Sequence, residues 1–235
     1  AVSFNPSAAI TFPPEGFSLK WYQNIFTGHT DFVTGFANSI KIAVIATIFD
    51  IFIGVFASLS VTKYNFKGKS LLVSFFTSPM FIPSISFAFV LMRTTASIKM
   101  FTPFTKILIG HIVIILPYII RNTMSVLINF NWTLEDAAAS LGANPRQVFF
   151  KITLPLIKPG IISGAMLAFL YSFDEAVISS FLTSAKFTTM PIQIINYMEF
   201  QFDPTVAAIA TILMASSLII MLVINKLVGL DSMVN

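Results

Sequence analysis

Residues 42–62 read IAVIATIFDIFIGVFASLSVT. They carry one charge, Asp50, and at 1.5 Å per residue they make a helix about 31 Å long, the thickness of a bilayer's hydrocarbon core. Extended to 36–62, this stretch is a membrane span. Lys41 sits near one end, where it can snorkel to the interface, and Asp50 falls near the middle.

The rest of the chain agrees. Of its 235 residues, 56% are hydrophobic and 10% charged, against roughly 45–50% and about 25% in ordinary globular domains. Mean hydropathy is +0.85. Disorder, coiled coil, collagen and an ordinary soluble domain are excluded, which leaves an all-α, polytopic transmembrane helical bundle. The net charge of +4 does not point to nucleic acid, because the 14 Lys and Arg are spread along the chain. Zero Cys removes disulfides, thiolate metal sites and cysteine nucleophiles. His29 and His111 alone make no metal site, so neither a metal nor a cofactor is expected. The opening lacks an initiator Met and a charged region before an apolar core, and it reads as a trimmed N-terminus rather than a signal peptide.

Four more spans follow, at 70–92, 106–128, 159–183 and 204–228, within a single domain of 1–235. Pro79 and Pro83 predict kinks in the second. The third carries His111, Pro117 and Arg121, and the fourth contains Asp174 and Glu175. Residues 1–35 hold no span. Trp21 and Tyr22 there suit the membrane–water interface, and His111 reads as an interfacial packing residue. Placing 62–70, 129–159 and the C-terminal tail in the cytoplasm puts Lys63, Lys67, Lys69, Arg146, Lys151, Lys158 and Lys226 on that side. Lys20, Lys41, Arg93, Lys99, Lys106 and Lys186 face the other way. The excess of one follows the positive-inside rule by a narrow margin.

The polar connection 129–158 is the most specific segment. Thr133 is expected to cap a short helix, with Asp136 in a box-like position and Glu135 favouring the helix dipole. Ala137, Ala138 and Ala139 propagate the turn, and Gly142 ends it in a left-handed conformation. Asn144 caps a second helix with Pro145 at its first position. Leu154-Pro155 is expected to close that helix before Lys158-Pro159-Gly160 starts the next span. The product is a helix–turn–helix elbow at the membrane face, with a small-residue surface another protein can approach closely.

The spacing Asp136-Ala137-Ala138, Gly142, Ile152-Thr153-Leu154-Pro155 resembles the EAA loop of permease subunits of type I binding-protein-dependent ABC importers. Asp136 stands where the pattern has its first Glu. Phe12 to Tyr22, Tyr64 to Lys69, Ser172 to Glu175 and Asp203 to Ala208 are similar to the spermidine/putrescine branch of that family. The resemblance implies a six-helix subunit of a bacterial inner membrane, with one further span before Ala1. It implies a heterodimer with a second permease subunit, a cytoplasmic ATPase dimer docked on the elbow, an extracytoplasmic solute-binding protein and a lipid surround. Glu135, Asp136, Ala137, Ala138, Gly142, Ile152, Leu154 and Pro155 then form the ATPase-coupling site. The subunit has no catalytic residues of its own.

Ionisable residues inside a membrane are costly and usually face a bundle interior or a water-filled path. Asp174, Glu175 and Asp50 are therefore candidates for a translocation path, here of a polyamine. Capping a helix break or pairing with Arg121 are the structural alternatives for the adjacent pair. Gly68-Lys69-Ser70 echoes a phosphate-binding loop, but Lys63 stands where its first Gly belongs and no strand precedes it, so the chain itself is not expected to bind ATP. Asn131-Trp132-Thr133 is formally a glycosylation site, discounted on the cytoplasmic side. An intramembrane aspartyl protease could use Asp50 and Asp174, but Ser-Phe-Asp-Glu lacks the Gly-x-Gly-Asp context of those enzymes. A secondary transporter would leave the elbow unexplained and would usually show an internal repeat.

Overall fold

A computed structural model describes residues 2–8, 11–27, 30–98, 100–201 and 203–228. His29, Lys99 and the tail 229–235, which enter the readings above, lie outside them. The described helices are α1 (Lys20–Thr27), α2 (Thr30–Lys63), α3 (Lys69–Thr77), α4 (Ser84–Ala96), α5 (Pro103–Leu127), α6 (Thr133–Ser140), α7 (Pro145–Val148), α8 (Leu154–Phe173), α9 (Val177–Leu182), α10 (Met190–Phe200) and α11 (Thr205–Val228). The runs Asp31–Lys63, Pro103–Leu127, Pro145–Phe173 and Thr205–Val223 are long and apolar enough to cross a membrane. A fifth span counts if α3 and α4 are halves of one, so the all-α bundle stands as expected.

Two of the spans differ from the sequence reading. The stretch 70–92 is not a kinked helix but a broken one: a 3-10 turn over Ser78–Phe81 ends at Ile82, whose backbone is extended, and Pro83 caps α4. Proline forces this, because the residue before it is pushed out of the α region. The stretch 159–183 is also interrupted. Its helix stops at Phe173, and α9 begins afresh at Val177.

The chain divides into two compact units. The first comprises 1–43, 83–110 and 172–235. Here α1 buries Trp21 and Ile25 among Phe32, Met190, Tyr197, Ala208 and Ile209. The Trp21 indole N–H donates to the Asn5 carbonyl at 2.6 Å and the Tyr22 hydroxyl bonds Ser3 Oγ at 2.9 Å. Trp21 is thus a core residue of this unit rather than an exposed interfacial anchor. The start of α10 is fixed by the Met190 N–H, which donates to Ser39 Oγ at 2.9 Å.

The second unit comprises 44–82 and 111–171, and α5 is its centre. His111 is buried in α5, as a packing residue should be. On one side of α5, a Cβ placed on Gly54 of α2 would lie 2.6 Å from Ile119 Cγ2. On another, Gly160 and Gly164 of α8 press on the α5 backbone: their hypothetical Cβ atoms would lie 2.7 Å from the Asn122 carbonyl oxygen and 2.9 Å from Ile119 Cα. Ser163 Oγ adds a hydrogen bond to Asn122 Oδ1 at 3.2 Å. This is the small-xxx-small packing by which spanning helices approach closely where lipid supplies no hydrophobic drive.

Candidate functional site: the helix–turn–helix elbow

The elbow belongs wholly to the second unit. Its first helix, α6, is not capped by Thr133. Asn131 Oδ1 accepts from both the Thr133 N–H (3.1 Å) and the Thr133 hydroxyl (2.7 Å). An Asn two residues earlier forms this Asx turn more readily than Thr, and Thr133 becomes the first helical residue. At the other end the Ala143 N–H reaches back to the Ala138 carbonyl at 3.0 Å, and Gly142 sits at φ 86°. That is a Schellman stop with glycine in the left-handed position, as the sequence predicts.

The second helix begins as expected. Asn144 Oδ1 accepts from the Gln147 N–H, and Gln147 Oε1 accepts from the Asn144 N–H, both at 2.9 Å. Its end differs. Leu154-Pro155 closes nothing: a π turn over Phe149–Thr153 carries the helix from α7 into α8, giving one run from Pro145 to Phe173. A π turn shifts the hydrogen-bond register by one residue. It thereby makes room for the proline ring and for the bond that Pro155 cannot donate. The elbow is consequently a direct extension of a spanning helix.

The site residues divide by direction. Asp136, Ala137, Gly142 and Pro155 are exposed, while Ala138, Ile152 and Leu154 are half-buried. Glu135 turns the other way and is buried at 9% exposure. Its carboxylate takes an ion pair from Lys63 at the end of α2 and a 2.5 Å hydrogen bond from the Thr153 hydroxyl. Leu141, absent from the expected set, is 90% exposed at the elbow's tip, beside a cavity of about 270 Å³ bounded by Gly142, Gln147 and Lys151. Its position just before the helix-ending glycine was the available signal. An exposed leucine next to small residues suits a protein surface better than water.

The candidates outside the elbow fare differently. Asp174 and Glu175 do not sit inside a spanning helix; they occupy the break between α8 and α9 in the first unit. Asp174 is exposed. Glu175 is buried and caps α9, its carboxylate accepting from the Ile178 N–H at 2.9 and 3.0 Å and from the Ser179 N–H at 3.2 Å. Asp50, in the second unit, is 0% exposed, and neither carboxylate oxygen has a hydrogen-bond partner among the described residues. Arg121 points towards Met80 Sδ at 3.9 Å.

Several apolar helices of spanning length, one of them continued into an exposed elbow, define a polytopic helical membrane protein. The chain belongs to the family of binding-protein-dependent transport system inner membrane components, whose model matches residues 50–230. It is accordingly a multi-pass inner-membrane permease of an ABC importer, part of a complex with other subunits. It is 30% identical over 204 residues to the spermidine/putrescine permease PotC of Haemophilus influenzae, covering 87% of this chain and 79% of that protein. It is also 30% identical over 199 residues to the trehalose permease SugB of Mycobacterium tuberculosis, covering 84% and 72%. Its fold matches a chain of a bacterial ABC transporter that imports alginate, with a TM-score of 0.70, 19% identity and coverage of 97% of this chain and 86% of that one.

Proposed function

We propose that the chain is the translocation subunit of a polyamine importer, driven by a separate cytoplasmic ATPase that docks on residues 129–158. The observation that carries the docking reading is the elbow's construction. Two short helices meet at Gly142 and present Leu141 and Asp136 outward, and the second of them continues without interruption into α8. A push on the elbow is thereby delivered to a spanning helix. The second permease subunit, the extracytoplasmic binding protein and surrounding lipid complete the assembly, and no catalytic residue, cofactor or metal of this chain is needed. Polyamine specificity is supported by the PotC relatives and by the exposed carboxylate of Asp174. The equal identity to a trehalose permease supports a sugar as the second reading.

Asp174 is assigned to the route and Glu175 to holding it there by capping α9. Asp50, enclosed in the second unit, reaches a path only if α2 moves. Proteoliposomes with the complete complex test this by ATP-driven uptake of labelled spermidine, putrescine and trehalose. Asp174→Asn is expected to lower polyamine uptake with assembly intact. Glu175→Ala is expected to destabilise the protein by about 1–2 kcal/mol, the usual cost of losing an N-terminal cap, and to impair every substrate alike. Trehalose uptake without polyamine uptake would replace the first reading with the second.

A further inference from the structure

Glu135 lies where three elements of the second unit meet. Lys63, at the end of α2, donates to Glu135 Oε2; the hydroxyl of Thr153, in the π turn that opens α8, donates to Glu135 Oε1. Glu135 itself belongs to the first turn of α6. The Lys63 ammonium also lies 5.3 Å from the centre of the Trp132 ring, on the approach to α6. The ion pair forms one wall of a cavity of about 520 Å³ between the end of α2 and the elbow. Cavity space on one side means that little packing in that region joins α2 to α6.

The two spanning helices are connected to the elbow by different means. α8 is continuous with α7 through the backbone, so it moves with the elbow whatever the side chains do. α2 has no such continuity. Among the described residues its links are side-chain contacts, including the Glu135 pair, the Lys63 ammonium over the Trp132 ring, the stacked rings of Phe56 and Phe149 at 5.9 Å, and the apolar cluster of Val55, Leu127, Ile157 and Ile161. Of these, the carboxylate alone bonds to both other elements at once with directional, charge-assisted geometry.

We infer that the Lys63–Glu135–Thr153 joint transmits elbow movement to α2, making Lys63 and Glu135 positioning residues for transport. The inference rests on the elbow being the ATPase-docking site. Docking on the exposed face of the elbow does not call for an inward-facing acid, and Lys63 lies outside the elbow altogether. With the joint intact, α2 and α8 move as one body. Without it, ATP hydrolysis still displaces α8 while α2 lags.

The test measures solute carried per ATP hydrolysed by the complete complex in proteoliposomes, with ATPase co-purification scored for each variant. Lys63→Glu and Glu135→Lys should each lower that ratio on the order of tenfold, within the usual range of coupling between sites, while the ATPase still co-purifies. The double swap should recover much of the ratio, and Lys63→Arg should stay near the unaltered protein. Thr153→Val, which removes a hydrogen bond and no charge, should give a smaller fall. The inference is overturned if the single variants keep the normal ratio, or if the double swap assembles and is no better than either. It is equally overturned if the charge variants fail to assemble while Thr153→Val assembles with a normal ratio, for the joint is then purely structural. Failure of the unaltered complex to retain an ATPase would contradict the docking reading instead.

Discussion

Gly142→Val is expected to abolish ATP-driven uptake while leaving the spanning helices inserted. A Cβ at this position would meet nothing within 4 Å, so space is not the obstacle. The obstacle is φ of 86°, a conformation that costs an L-residue about 1–2 kcal/mol and a β-branched one more. The elbow relieves that strain by letting go of the Schellman bond from Ala143 to Ala138, which swings Leu141 and Asp136 away from their presented positions. Gly142→Asn is the control, because asparagine tolerates the left-handed region, and it should keep most of the uptake. The variants are compared by uptake in proteoliposomes and by protease protection of the spans. Normal uptake by Gly142→Val would show that the turn has no part in coupling.

Gly164→Val, and Gly160→Val with it, is expected to cost folded protein rather than coupling. Backbone stands in the way of both: a Cβ on Gly160 would lie 2.7 Å from the Asn122 carbonyl oxygen, with Val126 Cγ2 at 2.8 Å beside it, and one on Gly164 would lie 2.9 Å from Ile119 Cα. A flexible side chain could swing aside, but backbone moves only if α5 moves, and α5 is held from another direction by Gly54 of α2. Each substitution should cost about 1–3 kcal/mol of overpacking or more, and the pair should exceed either alone. Thermal unfolding of the detergent-purified complex and its yield provide the measurement. A double variant with unchanged melting would mean that α5 and α8 are not close-packed through these glycines.

Much of this was open to a reading of the chain, for identifiable reasons. Apolar runs of bilayer length announce spans whatever their partners, and the elbow's capping residues act locally, so Asn144, Pro145 and Gly142 behave as their types require. What escaped depends on direction or on competition between neighbours. Glu135 and Asp136 are about 100° apart on a helix, and only the presence of Lys63 and Thr153 decides which turns inward. Asn131 accepts the Thr133 N–H from the turn two residues before, so Thr133 begins α6 instead of capping it. The end of α8 at Phe173 was masked by Val177 to Leu182, which continue the apolar pattern beyond a break made by Glu175 capping the next helix. Pro155 looked like a terminator until the π turn before it absorbed its missing donor. The Gly160-x-x-x-Gly164 spacing went unused, although small residues four apart on a spanning helix signal a close helix approach; which helix is approached shows only in the packing against α5.

The central claim is that residues 129–158 are the surface on which an ATPase acts. Leu141, at 90% exposure the most exposed large apolar side chain of the elbow, is the place to test it. A photo-reactive amino acid substituted there, in the intact complex in native membranes, should cross-link to a cytoplasmic ATPase subunit, with a yield that differs between nucleotide-free and ATP-trapped states. Cross-linking only to lipid or to other membrane subunits, in a complex competent for uptake, would contradict the account.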